Sequence, residues 1–359
     1  MNSASPTPGP TPFSRFRAEL NDAVSVRSVL LVVSVLALQL GFILSYVGAF
    51  HSPTPHRISV AVVAPGAQRF ADMLNALPGD PLHARVAKDE SQARRLILHR
   101  SVDSAIVIAP RGTTDRLLLA SAGGPAVSET ASRIAARVEA VQHRRLTVQD
   151  IRPPSPKDGR SLSSFYLALG WVVGGYLAAA LLGMSAGARP ATFNRTLIRM
   201  GVLTAYSILS GLGGAIIVDP ALGALPGHFF ALWWIGALVV LAAGASTALF
   251  QILLGPMGIG LTILLFVVLG NPSAGGPYPA ALLPPFWRAI GPWFPPGAAT
   301  TAIRNTVYFA GNATTVPLLL LGAYAIGGVV LSLLASAIGL RRRGATRTGP
   351  PDDPAKGES

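Results

Sequence analysis

The sequence predicts an α-helical polytopic membrane protein with six transmembrane helices, arranged one before and five after a small α+β extracytoplasmic domain. Three observations carry this prediction. Only 13% of the 359 residues are charged and mean hydropathy is +0.49, whereas soluble domains carry about 25% charge. Six apolar stretches contain no acidic residue, and each is close to the ~20 residues that cross a bilayer core. The charge is concentrated instead in residues 51–160, which hold 16 basic and 10 acidic side chains. A coiled coil, a disordered tail and an ordinary cytosolic enzyme are excluded by this composition. Cysteine is absent, so the fold has no disulfide framework and no thiolate metal site.

Residues 1–27 are predicted to form a cytoplasmic tail that opens on a disordered Pro/Ser/Thr stretch. Phe13, Phe16, Leu20 and Val24 then recur at helical spacing opposite Arg15, Arg17, Glu19 and Asp22. That pattern fits an amphipathic helix on the membrane surface, or a simple lead-in to the first span. Residues 28–50 are uncharged for 23 positions, too long and too far from the start for a signal peptide. They are read as the first transmembrane helix.

Residues 51–160 read as a folded domain. Ile58–Val63 and Asp103–Ile108 are strands, and Leu82–Val86 and Leu117–Ala120 are weaker ones. Helices are expected near Gln68–Leu77, over Glu90–Arg100 with Asp89 as N-cap and Gln92 three residues on, and over Pro125–Arg145. In the last, Val127, Ala131, Ile134, Val138 and Val141 form one apolar stripe. The stripe packs on the domain's own sheet or serves as a subunit interface.

The membrane half, 161–340, contains spans at 161–184, 197–218, 229–251, 252–270 and 316–340. The third and fourth form one uncharged run that needs a turn, and Leu254-Gly255-Pro256 supplies it. Six crossings put both termini on one side. Arg15, Arg17 and Arg27, then Arg189, Arg195 and Arg199, then Arg341–Arg343 of the basic tail 341–359 all fall on that side. The positive-inside rule makes it cytoplasmic, and long domains are exempt from the rule. The net charge of +13 is thus a record of topology and of an Arg-rich outer domain. No part of it forms a nucleic-acid footprint.

Residues 271–315 are too apolar for a free loop and too proline-rich for a span. With Tyr278, Trp287 and Trp293 they are expected to form a re-entrant or interfacial segment on the outer face. Arg304 there faces phosphate headgroups or a lumen. Elsewhere the chemistry is sparse. There is no P-loop and no H-E-x-x-H, and the six histidines have no ligand spacing, so no catalytic residue, cofactor or metal site is expected. Gly183-Met-Ser-Ala-Gly187 matches G-x-S-x-G, but it ends a membrane span rather than a strand. The spans hold no acid for ion coupling, and Asp219 beside Pro220 is a turn residue at a span's mouth. Gly170-x-x-x-Gly174, Gly211-x-Gly213-Gly214 and Gly327-Gly328 are faces for close helix packing.

One N-terminal span, an α+β outer domain and five further spans resemble the permeases of the type-two ABC exporter superfamily, nearest to the phage-infection-protein-like branch. Gly275, Gly276, Tyr278, Pro279, Pro284, Phe286 and Arg304 are similar to that branch's segment before the last helix. The resemblance implies a bacterial plasma-membrane permease subunit, both termini cytoplasmic, that pairs as a homodimer and takes ATP's energy only through a separate ATPase subunit. It implies that the loop carrying Arg189, Arg195 and Arg199, with the helix at 13–24, contacts the ATPase, and that residues 275–304 form the outer gate. The expected activity is export of a lipidic, glycan or amphipathic small molecule. The alternative is a non-transporting envelope receptor or scaffold whose outer domain binds a partner.

Overall fold

The computed structural model describes Phe13 and residues 26–188 and 192–347. The surface helix expected at 13–24 and Arg189 therefore lie outside the described residues. Apart from Phe13, so does the rest of the chain before residue 26.

The first helix, α1 (Val26–Phe50), runs unbroken for 25 residues. After it comes a domain of alternating strands and helices: β1 (Ile58–Val63), α2 (Ala67–Asn75), β2 (Leu82–Val86), α3 (Glu90–Leu98), β3 (Ser104–Val107), β4 (Thr114–Leu119), α4 (Pro125–Val141) and β5 (Arg145–Asp150). The strands form one sheet in the order β2-β1-β3-β4-β5. Only β3 and β4 pair antiparallel; the other three pairs are parallel. The domain is therefore built of crossovers rather than of segregated strands and helices. Nine-residue helices between successive strands leave room for parallel return. Asp89 caps α3 as expected, its Oδ1 accepting the Gln92 N–H at 2.7 Å, while Gln92 Oε1 accepts the Lys88 N–H. β5 has no counterpart in the sequence reading.

Side chains alternate across the sheet with period two. Val60, Val62, Ile106, Leu117 and Leu119 point to one face, against Ala71 and Leu74 of α2 and Val127, Ala131 and Ala135 of α4. The apolar stripe of α4 thus packs on its own sheet, except Val141, which is exposed. Ala61, Ala105 and Leu118 point to the other face, against Ala93 and Ile97 of α3. That second layer runs without a break into Ala302, Ile303, Tyr308 and Phe309 of the membrane half.

The membrane half contains α5 (Ser163–Ala186), α6 (Phe193–Ile216), α7 (Phe229–Leu254), α8 (Met257–Ser273), α9 (Pro285–Ile290), α10 (Pro295–Tyr308) and α11 (Thr315–Arg347). Among the described residues five helices are long and apolar enough to cross a membrane: α1, α5, α6 with its π-helical extension to Ala221, α7 and α11. Large apolar side chains such as Ile198, Leu209, Leu319, Ile326 and Leu334 are exposed along α6 and α11. A surface of that kind is satisfied by lipid rather than water, and it marks a membrane-embedded protein. α7 is the central helix, with most of its residues between Leu232 and Ile252 buried. Trp171 of α5 lies over Gly214 of α6 and Gly236 of α7, donating its Nε1–H to Ser210 O at 3.1 Å. Gly170, by contrast, faces open space.

The span expected at 252–270 is redrawn. The long uncharged run breaks at Gly255 (φ 65), Ile252–Leu254 belong to α7, and α8 is a shorter apolar helix of 17 residues. Residues Ile263–Leu269 of α8 are π-helical, and Ser45 Oγ donates to Val268 O.

Candidate functional site

The residues singled out between 275 and 304 come together where the domain meets the membrane half. Beyond Ser273 the chain turns at Gly275 (φ 74). Gly276 then passes under the Phe165 ring, where a Cβ would stand 2.6–2.8 Å from the ring carbons. Tyr278 lies 5.8 Å from the Phe50 ring and, with Ala281 and Leu282, joins the core formed by α2, α4 and the sheet. Pro279 covers Gly124, the residue that precedes α4, so closely that a Cβ at Gly124 would overlap its ring. The His56 N–H donates to Ala281 O at 2.9 Å. Pro284 caps α9, whose Phe286 is 56% exposed and packs edge-on against Trp287. Trp293 is exposed as well, so α9 and its flank carry the aromatics of an interfacial element.

The same segment then turns inward. Pro295 and Pro296 open α10, where proline costs no helical hydrogen bond, and 11 of its 14 residues are buried. α10 ends under the opposite face of the sheet. Residues 278–282 and 303–309 therefore reach the domain from both faces.

The polar contacts across this junction are nearly complete. Arg152 Nε donates to Tyr308 O at 2.5 Å, and the Tyr308 hydroxyl donates to buried Asp158 at 2.5 Å. Asp158 also accepts the Ser163 N–H at 2.8 Å, so it ties Tyr308 to the first turn of α5. Burial, reinforced by that carboxylate acceptor, holds the Tyr308 hydroxyl well above the usual phenol range. Asn312 Nδ2 donates to Leu98 O, Ser161 Oγ to Ala122 O, and Arg100 stacks 4.6 Å over the Phe309 ring.

Arg304 is the main exception, together with the Oδ1 of its buried neighbour Asn305, which has no donor. Arg304 is 5% exposed, so it faces neither headgroups nor a lumen, the two surroundings expected from the sequence. The Pro295-Pro296 start directs α10 into the protein, where Arg304 Nη1 donates to Gly275 O at 3.1 Å while Nε and Nη2 have no acceptor. Burial, with repulsion from Arg100, pushes its pKa down to about 10, against the attraction of Asp158. Half-satisfied buried groups of this kind are costly.

At the other end of the bundle, Arg195 is exposed and its N–H is capped by Thr192. Arg199 is buried and donates to Gly187 O at 2.7 Å, so it shapes the loop from within. Ser185 of the G-x-S-x-G match lies in the last turn of α5, without the strand-to-helix elbow that a nucleophile needs. Asp219 accepts the Gly227 N–H within its turn. Among the described residues no three His, Asp or Glu side chains gather as a metal site.

Sequence reasoning missed Asp158, Tyr308, Arg152 and Arg100, because their partners are distant in the chain. It also missed a charged triad in the domain, two buried carboxylates with a half-buried arginine. Arg144 Nε and Nη2 reach Asp115 at 2.5 and 2.6 Å, and Arg144 Nε lies 3.9 Å from Glu139. Burial would raise Asp115, but Arg144 and the Ala109 N–H outweigh it and hold the carboxyl low. Glu139 is 1% exposed, no donor reaches either of its oxygens, and burial beside Asp115 pushes it up to about 7. Two facing carboxylates cannot hydrogen-bond, so the protonated form of Glu139, favoured below about pH 7, is the one able to donate to Asp115.

The fold and junction define a class: a membrane-embedded helical protein carrying a small mixed sheet clamped by a segment of its membrane half. Comparison with known protein families, curated proteins and solved structures gives no match.

Proposed function

We propose that the chain is the permease-like membrane subunit of an ABC-type exporter that moves a lipidic, glycan or amphipathic small molecule and draws on a separate ATPase. One observation carries the reading: residues 275–309 grip both faces of the domain's sheet while their two ends continue into α8 and α11. A displacement of the membrane helices is thereby transmitted to the outer domain, as an outer gate requires. Charge supports it too, since exposed Arg195 sits at the bundle end away from the domain, available to an acidic partner surface.

The reading includes six crossings, with α8 as the fifth. Seventeen residues span about 25 Å, a little under the ~30 Å core. The contacts of α8 nonetheless lie at opposite ends of the bundle. Gly258 packs against Phe250 and Gln251 near the end of α7, and Gln251 meets Gly183 near the end of α5. Gly270 packs on Pro296, while Gly276, three residues past α8, packs on Phe165 at the start of α5. In this arrangement both termini are cytoplasmic, the domain and residues 275–304 are outside, and two copies pair in a bacterial plasma membrane.

The test is purification of the full chain from its native membrane in mild detergent. ATP hydrolysis should accompany it and be lost in Arg195→Glu, whose side chain has no role in the fold. A preparation free of ATPase, with unchanged physiology in Arg195→Glu cells, would contradict the exporter reading and leave the receptor or scaffold.

A further inference from the structure

The exporter reading makes no use of a cleft of about 560 Å³ beside α4, bounded by residues 53–55, 160–162 and 277–282. Its two sides differ in chemistry. On α4, Glu129, Arg133 and Arg137 follow one another at four-residue intervals and so share one helix face. That face is distinct from the apolar stripe that covers the sheet. Across from it stand Pro53, Leu162, Pro277 and Tyr278, which are largely apolar. Arg160 completes the lining, giving three guanidinium groups and one carboxylate.

The cations are poorly neutralised by the protein itself. Glu129 reaches Arg160 only at 3.9 Å, with both side chains more than half exposed, a contact of little strength. Arg133 makes one 3.4 Å hydrogen bond, to Thr130. Arg137 makes no hydrogen bond or ion pair among the described residues. Arg133 and Arg137 stand one turn apart, and like charges so placed destabilise a helix. Arg160 and Ser161 both adopt the left-handed conformation, φ 57 and 55, which residues with a Cβ disfavour. A cleft with this much uncompensated positive charge is complementary to an anion.

Its depth decides which anion. Pro53 lies three residues past the end of α1, and Leu162 immediately precedes α5. Both helices are of membrane-spanning length, so their common end lies at the level of lipid headgroups. Tyr278 is an aromatic of the kind enriched there. From the next residue, Ser163, an apolar groove of about 600 Å³ runs between α5 and α6, past Tyr166, Gly170 and Gly213. It has room for hydrocarbon.

We propose that this cleft binds the headgroup of an anionic phospholipid from the leaflet on the domain's side. Arg133 and Arg137 hold the phosphate by their guanidinium forks, and the apolar wall shields the glycerol. The site requires nothing of an ATPase and stands apart from the exporter reading.

The test uses the full chain in detergent, offered equal amounts of phosphatidylglycerol and phosphatidylcholine with identical acyl chains, and reads bound lipid by native mass spectrometry. The wild type should retain phosphatidylglycerol preferentially. Arg133→Gln/Arg137→Gln should weaken that retention roughly 30-fold, equivalent to about 2 kcal/mol for two guanidinium groups. Arg69→Gln, which removes a cation outside the cleft, should leave it unchanged. The single change Arg137→Gln touches no contact in the fold and should show an intermediate loss even if the double variant is unstable. Equal retention of the two lipids by the wild type would overturn the proposal, as would a loss in Arg69→Gln matching that of the cleft variants. Displacement of bound phosphatidylglycerol by an equal concentration of inorganic phosphate would also overturn it, because the site would then read the anion alone.

Discussion

Replacing Glu139 by glutamine should remove a pH dependence from the stability of the mixed-sheet domain. In the folded chain the Glu139 carboxyl has its pKa pushed up from 4.5 to about 7, so the folded state binds a proton that the unfolded state has released. Stability from this group is fully present below pH ~4.5 and declines as pH rises through about 7. At 1.36 kcal/mol for each pKa unit, the loss is about 3 kcal/mol once the proton is gone. That is roughly a 300-fold increase in local opening across the full transition. In Glu139→Gln the side-chain amide would donate a hydrogen to Asp115 in place of the acid proton, and an amide does not titrate. Hydrogen–deuterium exchange of β4 and of the α4–β5 turn, between pH 5 and 8.5 and corrected for intrinsic rates, measures the effect. Wild-type protection should fall with rising pH while that of Glu139→Gln stays flat. Identical corrected slopes for the two proteins would refute the assignment of the proton to Glu139.

Other perturbations probe the junction. Tyr308→Phe removes the hydroxyl donor to buried Asp158, and a hydrogen bond to a charged group is worth about 1.5–3 kcal/mol. Exchange should accelerate at residues 155–163 while distant β2 is unaffected. Gly276→Ala forces a Cβ into the Phe165 ring; overpacking of this kind costs about 1–3 kcal/mol. The loss should be largely recovered in the double variant with Phe165→Leu, as a thermal-melt cycle in detergent would record. Asp89→Ala deletes the cap of α3 and should cost about 1 kcal/mol, visible as faster exchange over residues 90–95.

The long spans were legible because bilayer thickness imposes length and apolarity, a constraint that local sequence expresses directly. Asp89, Gln92 and the β1 and β3 strands were legible for the same reason: their signals are contained within a few residues. β5 was not, because Arg145–Asp150 is an edge strand with mostly exposed side chains, and no alternation betrays it. α10 was hidden by Pro295 and Pro296, which read as breakers but stand at a helix start. The surroundings of Arg304 depend on Gly275, 29 residues away, and those of Tyr308 on Asp158, 150 residues away. Contacts of that range leave no periodicity behind. The shortening of the span expected at 252–270 to the 17-residue α8 was equally invisible, since Ile252–Leu254, before the Gly255 turn, are as apolar as the residues after it.

The most direct test of the account is the sidedness of the chain, and a sequence with no cysteine is suited to it. Single substitutions Ser3→Cys, Ser101→Cys and Ser359→Cys can be probed with a membrane-impermeant maleimide in intact and permeabilised cells. Six crossings predict that position 101 is labelled in intact cells and that positions 3 and 359 react only after permeabilisation. Labelling of the two terminal positions from opposite sides, as five crossings would give, or protection of position 101 in intact cells, would contradict it.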